Sequence, residues 1–312
     1  MYPHLCQLAL TTKHPHLCSS FYKKLLGYQD SGERTVRGIA AARIFSCKKV
    51  RAQCYWLTGD DPFFQLEIFH FEQPHSTDNT ENMLTRGYNM LLIEAPSLDE
   101  ICQDPQLAPH MRQICRYHDQ GTEHLLVRDI DNNVLDIFSN ATSHTLTKPT
   151  LRGVGATVND LDREVSHFTQ GFGLSESTVP SHFDPQFKRL SEQPQYSGVT
   201  QRSKTLVCGG YHLQLTQYND TGAHHTKAQT DQGVLNIALG IRAYDDFAPL
   251  YQSLLDAGYQ PLCLPMGDAI SNSAYVHSAS LSVELVQLPT HIQAMWGFPA
   301  LEPEPEPEPE PT

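Results

Sequence analysis

Apolar residues recur along this 312-residue chain with two alternating periods. The segment Leu5 to Thr11 predicts a strand, with Gln7, Ala9 and Thr11 on one face and Cys6, Leu8 and Leu10 on the other. Leu17, Phe21, Leu25 and Leu26 follow at i, i+4, i+8 and i+9, the spacing of one helix face, and Gly27 is a natural stop. Aromatic and β-branched residues then predict strands around Ala40–Phe45, Ala52–Thr58 and Gln65–Phe71. After the polar linker Glu72 to Thr85, a second unit opens with the strand Tyr88–Glu94. It closes with Glu123–Arg128 and Asn133–Phe138 on either side of the Asp129–Asn132 turn.

The plan is then repeated. Val154–Val158 reads as a strand, Asp160–Phe172 as a helix and Tyr211–Tyr218 as the strand that ends the third unit. The fourth has the strand Val234–Ile241, a helix over Asp245–Gly258, and the strands Ala274–His277 and Leu281–Leu288. Phe21 recurs as Phe168, Leu66 as Leu213 and Asn89 as Asn236, each 147 positions on, and Asp136 as Glu284 at 148. Matches in one order at nearly one spacing make the halves duplicates. The expected organisation is a first domain over 1–145, a second over 146–292 and an extended Glu-Pro tail over 293–312. Each domain holds two βαβββ modules, and the fold class is α+β.

Composition narrows the function. The net charge of −13 excludes a protein that grips nucleic acid through clustered Lys and Arg. No apolar run approaches the roughly 20 residues of a membrane-spanning helix, and no basic-then-apolar leader is present. The eight cysteines include no CxxC pair, which fits reduced thiols in a cytoplasmic protein. The expected partner is a small-molecule substrate, with no nucleic acid and no membrane, and the chain is compatible with a homo-oligomer.

The segments FYKKLLGY, QLEIF, RDIDNNVLDIF and SVELVQL, in this order, resemble the vicinal oxygen chelate superfamily of glyoxalase I, extradiol dioxygenases and fosfomycin- and bleomycin-resistance proteins. The turn Asp129-Ile130-Asp131-Asn132-Asn133 is similar to the Asp-Pro-Asp-Gly-Asn turn of that family. The resemblance implies four modules in two tandem domains, each with sheets curled around a cleft, and a divalent metal (Mg, Mn, Fe or Zn) held by first- and last-strand residues. On this resemblance the ligand positions of the first half hold Gln7, Glu67, Asn89 and Asp136. Those of the second hold Gly153 or Val154, then Gln214, Asn236 and Glu284. The metal set is then Gln7, Glu67 and Asp136, with Asn89 and Glu284 less favoured.

Neither half supplies the two His of an extradiol dioxygenase. An all-oxygen set suits a hard cation, whereas a metal-free site would use Glu67 with Asp136 as acid and base. His124, on the strand before the Asp129 turn, is the spare imidazole nearest Asp136, and His224-His225 fall in a polar loop. The reading is a small-molecule enzyme of isomerase, lyase or ring-cleavage type, with catalytic candidates Glu67, Asp136 and His124 in the first half. The alternatives are a metal-free binding or resistance protein and an extradiol-type dioxygenase.

Overall fold

The computed structural model describes residues 3–79, 84–119, 121–177, 199–219, 228–243, 245–267, 271–278 and 280–299. His224-His225 and the Glu-Pro repeat lie outside them. The first module is β1 (His4–Thr11), α1 (Pro15–Leu26), β2 (Gln29–Arg37), α2 (Ile39–Ile44), β3 (Arg51–Thr58) and β4 (Gln65–Gln73). The second is β5 (Gly87–Glu94), α3 (Leu98–Gln103), β6 (Arg112–Asp119), β7 (Thr122–Arg128) and β8 (Val134–Ser139). The third is β9 (Thr150–Thr157), α4 (Leu161–Ser166, prolonged by a π turn over His167–Gly171), β10 (Ser175–Glu176), β11 (Thr200–Cys208) and β12 (Tyr211–Asn219). The fourth is β13 (Gly233–Ile241), α5 (Phe247–Asp256), the short β14 (Gln260–Pro261) and β15 (Met266–Gly267), β16 (Asn272–His277) and β17 (Ser282–Gln287). The α+β class and four modules stand as the pattern predicts. Among the described residues no helix is long and apolar enough to cross a membrane.

Strand pairing interleaves the two halves. One open sheet runs β14-β16-β17-β13-β1-β4-β3-β2, with β15 beside β16, so it joins modules four and one. The other runs β10-β11-β12-β9-β5-β8-β7-β6 and joins modules three and two. The seams are antiparallel pairs of first strands, β1 with β13 and β5 with β9. Each first strand is buried along most of its length and has its own module's last strand on only one side. Its other edge of N–H and C=O groups needs a partner. The equivalent strand of another module supplies it.

Residues of both sheets and of the helices meet in one apolar core. Leu8, Leu10, Leu66 and Ile68 of the first sheet share it with Leu91, Leu135, Val154 and Leu215 of the second, and with Phe21, Phe168 and Leu254 from helices. Each such side chain, fully buried, contributes roughly 1.5–3 kcal/mol. The residues alternating with these point to the outer face of each sheet. The turn Asp129–Asn133 clamps the sheets further. Tyr22 donates to Asp129 at 2.6 Å, Thr12 to Asp131 at 2.8 Å and Gln232 to Asp131 at 2.7 Å, all from the first sheet's modules. Asn132 takes the left-handed conformation (φ 64°), which Asn tolerates better than most residues other than Gly.

Two expectations are corrected. Ala40–Phe45 belongs to a helix, α2, because a short run with three alanines satisfies its own backbone bonds and buries Ala41, Ala42 and Ile44. The strand at that point of the module is the polar β2, an exposed edge. Residues 293–298, placed by composition in the tail, are instead packed: a 3-10 helix spans Thr290–Trp296, and Ile292, Gln293 and Phe298 are buried.

A side chain at Gly153 is excluded by the β9–β12 pairing, since its Cβ would lie 2.0 Å from the carbonyl oxygen of His212. Gly153→Ala is therefore expected to destabilise the protein by about 2 kcal/mol or more, read as a lower urea midpoint. An unchanged midpoint would refute this pairing.

Candidate active site

The outer face of the first sheet gathers the polar groups. Glu67 on β4 and Glu284 on β17 occupy corresponding places, since Glu67 pairs in register with Ala9 of β1 and Glu284 with Ala238 of β13. Each also stands directly opposite an aromatic donor on the neighbouring strand, Trp56 for Glu67 and Tyr275 for Glu284. The Trp56 indole N–H reaches Glu67 Oε1 at 2.9 Å, and Tyr275 hydrogen-bonds Glu284. Gln7 donates to the same Glu67 oxygen at 3.2 Å and the Cys54 thiol approaches it at 3.8 Å. The two carboxylates thus hold equivalent places about a local twofold relation between modules one and four, and the charge of Glu67 is felt at Glu284.

Their electrostatics follow from that geometry. Burial pushes the Glu67 carboxyl up to about 7, partly offset by the Trp56 and Cys54 hydrogen bonds and by the charge of Arg34. Burial and then the charge of Glu67 push Glu284, 8% exposed, up to about 8, against the Tyr275 hydrogen bond and Arg34. Two like charges in one low-dielectric site do not both ionise readily, so the pair holds a proton near neutral pH.

Trp56 is held from two sides by glycines. A Cβ on Gly32 (φ +140°) would lie 3.0 Å from its ring and one on Gly297 (φ +75°) 2.5 Å. The C-terminal segment therefore lies flat on the indole. Its Trp296 carbonyl accepts from Gln65 at 2.9 Å, Gln65 accepts from Gln7 at 2.6 Å, and Gln7 donates to Glu67. Helix α2 covers the rest of this face, with Ala41, Ala42, Ile44 and Phe45 against Ala9, Cys54, Trp56 and Phe69.

The expected first-half set of Gln7, Glu67, Asn89 and Asp136 is not brought together. Gln7 and Glu67 stand on the first sheet and Asp136 on the outer face of the second. Asn89 falls at a β-bulge, where it bonds Thr157 Oγ1 at 2.8 Å, and Met90 takes the place that Asn236 has in the first sheet. Fully buried Asp136 instead pairs with His124, 2% exposed, whose Nδ1 lies 3.0 and 3.2 Å from its two oxygens. The imidazole is stacked on Tyr117, with centroids 4.8 Å apart and planes at 2°. Where the first sheet has a second carboxylate, this one has the amide of Gln214, paired in register with Gly155.

The proximity of His124 to Asp136 was readable from the hairpin. The partnership of Glu67 with Glu284 was not, because Asp136 and Glu284 are equivalent residues and sequence alone offers both. Trp56 and Tyr275 were missed too, although strand register places each opposite a carboxylate.

The residues on this face do not fit a divalent cation as arranged. Gln7 turns its N–H donors, not its oxygen, to Glu67, and one Glu67 oxygen is taken up by Trp56, Gln7 and Cys54. The position that would offer imidazole holds Asn236. Among the described residues no group of three His, Cys, Asp or Glu is arranged to hold a metal ion. The expected metal set Gln7, Glu67 and Asp136 is divided between the sheets.

No protein-family model matches the chain. No curated protein matches it in sequence. Solved structures do. Glyoxalase I from Zea mays aligns over 91% of this chain and 92% of its own, at 13% identity and a TM-score of 0.61. A Bacillus subtilis protein provisionally described as a dioxygenase aligns over 97% of this chain and 99% of its own, at 11% identity and the same TM-score, 0.61. The chain thus shares the fold of these two proteins along nearly its whole length.

Because both carboxyls are raised above their ordinary value of 4.5, these two groups bind more protons in the folded protein than in the unfolded chain between pH 4.5 and about 8. Stability contributed by the protonated pair is full below 4.5 and lost as pH rises through that window. Glu284→Gln should gain on the parent by at least about 1.4 kcal/mol, one pKa unit, between pH 5 and pH 8 in thermal melts. A difference constant with pH would show that no proton is shared.

Proposed function

We propose that the chain is a small-molecule enzyme that moves a proton at a carbon next to an oxygen function, with Glu67 and Glu284 as its acid–base pair. The observation that carries this is the contrast between the two outer faces. On the second sheet Asp136 is hydrogen-bonded to His124 and its counterpart is the amide of Gln214. On the first, two carboxylates stand together, each raised toward neutrality and held by a rigid aromatic donor. Such a pair costs folding stability unless one member keeps a proton, and one ionised and one protonated carboxyl is what general acid–base chemistry uses.

In this reading Glu67, the more acidic, takes the proton from carbon as the bonding electron pair moves onto the neighbouring carbonyl oxygen. Glu284 presents its proton to that oxygen; where the starting carbon bears a hydroxyl the product is an enediol, and return of the first proton to the former carbonyl carbon, as that hydroxyl gives its proton to Glu284, completes an isomerisation and restores both groups. Trp56 fixes the orientation of the Glu67 carboxylate, and Gln7 restrains it from the other side. Each donor already points at Glu67 before substrate arrives, so little reorganisation is needed in the transition state. The fold shared with glyoxalase I supports the class of chemistry. It does not carry the metal, for which the donors are unsuited, and it leaves the reaction type to experiment.

The test is deuterium exchange at the carbon next to the carbonyl in small dicarbonyls and 2-oxo acids, followed by NMR in D2O. Glu67→Gln and Glu284→Gln should each lower the exchange rate at least about 100-fold, while chelator leaves the parent rate unchanged. Loss of exchange in His124→Gln but not in Glu67→Gln would move the site to the second sheet. Loss on chelation with recovery on adding Mg²⁺, Mn²⁺ or Zn²⁺ would replace the metal-free route. Saturable binding without exchange would make the protein a binder.

A further inference from the structure

Arg34 sits on the exposed edge strand β2, paired in register with Cys54, two residues from Trp56 on β3. Its charge reaches Glu67, Glu284 and Cys54, lowering the proton affinity of all three. Yet among the described residues it forms no ion pair, although the chain carries 35 acidic residues. The guanidinium instead lies 4.8 Å above the ring of Trp296. An arginine over an indole at an exposed site is worth roughly 0.5–1 kcal/mol, less than a two-pronged hydrogen-bonded pair with an oxyanion.

Trp296 is not an isolated surface ring. Its flanks, Ile292 and Phe298, are buried against Cys6, Phe63, Ala238 and Val286, so the segment is anchored on both sides. Trp296 itself is only partly buried. Its backbone carbonyl holds the end of the amide chain Gln65–Gln7–Glu67. Arg34, Trp296 and Glu67 are thus coupled through one cation–ring contact and one file of hydrogen bonds, next to the carboxylate pair.

We propose that the molecule handled at the Glu67–Glu284 pair carries a carboxylate, and that Arg34 binds it by exchanging the face of Trp296 for the anion, so that Arg34 and Trp296 form a ligand-operated gate. The inference rests on the acid–base reading for what lies behind the gate. The carboxylate compensates the cation at the mouth, while the carbon to be deprotonated lies farther in, toward Glu67. A neutral ester of the same molecule offers no group able to displace the ring.

The chain has only two tryptophans, Trp56 and Trp296, both at this site, so its fluorescence reports the gate directly. In Trp56→Phe, Trp296 is the sole emitter. Titration with glyoxylate, pyruvate and phenylpyruvate should at least double the acrylamide quenching of Trp296 for one or more of them, saturably. The matching methyl esters should leave it unchanged. In Trp56→Phe with Arg34→Gln, quenching should already be about twofold higher without ligand and should not respond further. The same titrations of the otherwise unsubstituted chain and its Arg34→Gln variant should differ in the same way, which guards against a fault of the Phe substitution.

No response to any of the acids, an equal response to the esters, or a response that survives Arg34→Gln in both backgrounds overturns the gate. Proton exchange, read only in the samples that keep Trp56, separates the two proposals. An Arg34-dependent response without exchange upholds the gate and overturns the acid–base reading. Exchange of acids and esters alike, with Trp296 unmoved, upholds that reading and overturns the gate.

Discussion

The structure depends on the unpaired edges of its four first strands. Each βαβββ module places its own last strand along only one side of its first, and the other side cannot be left open in the interior. Pairing β1 with β13 and β5 with β9 satisfies all four edges. It also decides which residues can meet. Glu67 is brought to Glu284 rather than to Asp136, and the outer modules share one face while the inner modules share the other.

From that pairing come two centres built on the same geometry with opposite electrostatics. In the second sheet Asp136 lies in contact with His124, and Gln214 stands where the first sheet has a carboxylate. In the first sheet the two carboxylates share a small volume with the indole of Trp56, the hydroxyl of Tyr275 and the thiol of Cys54. The two sheets supply two equivalent frames. The difference between them lies in the few side chains that pair Asp136 with an imidazole in one and place two carboxylates in the other.

The face with the two carboxylates is also the covered one. Helix α2 fills one part of it with alanine and other apolar side chains, and the C-terminal segment lies across Trp56 at Gly297. Both coverings depend on small residues where rings approach closely, and on Gly32 and Gly297 in conformations that other residues rarely adopt. Exclusion of water strengthens every interaction of the carboxylates, so the cover and the raised proton affinities share one physical origin.

Much of the fold was legible in the chain. The strands β1, β4, β5, β8, β12, β13 and β17 and the helix α1 followed from period-2 and period-3.6 patterns because one or both of their faces are buried. The edge strands β2 and β6, and β11 beside the two-residue edge β10, were not legible, since much of their surface faces solvent and local composition loses its contrast there. Helix α2 was misread because an apolar run of six residues is as compatible with a strand as with a helical turn.

For the site, the chain by itself determined the candidates: Gln7, Glu67, Asp136, Glu284 and His124 stand at positions marked by repeat spacing and turn chemistry. Only the tertiary structure decided their company. The repeat makes Asp136 and Glu284 equivalent, and the choice between them is made by strand pairing between residues more than 200 positions apart, which no local pattern encodes.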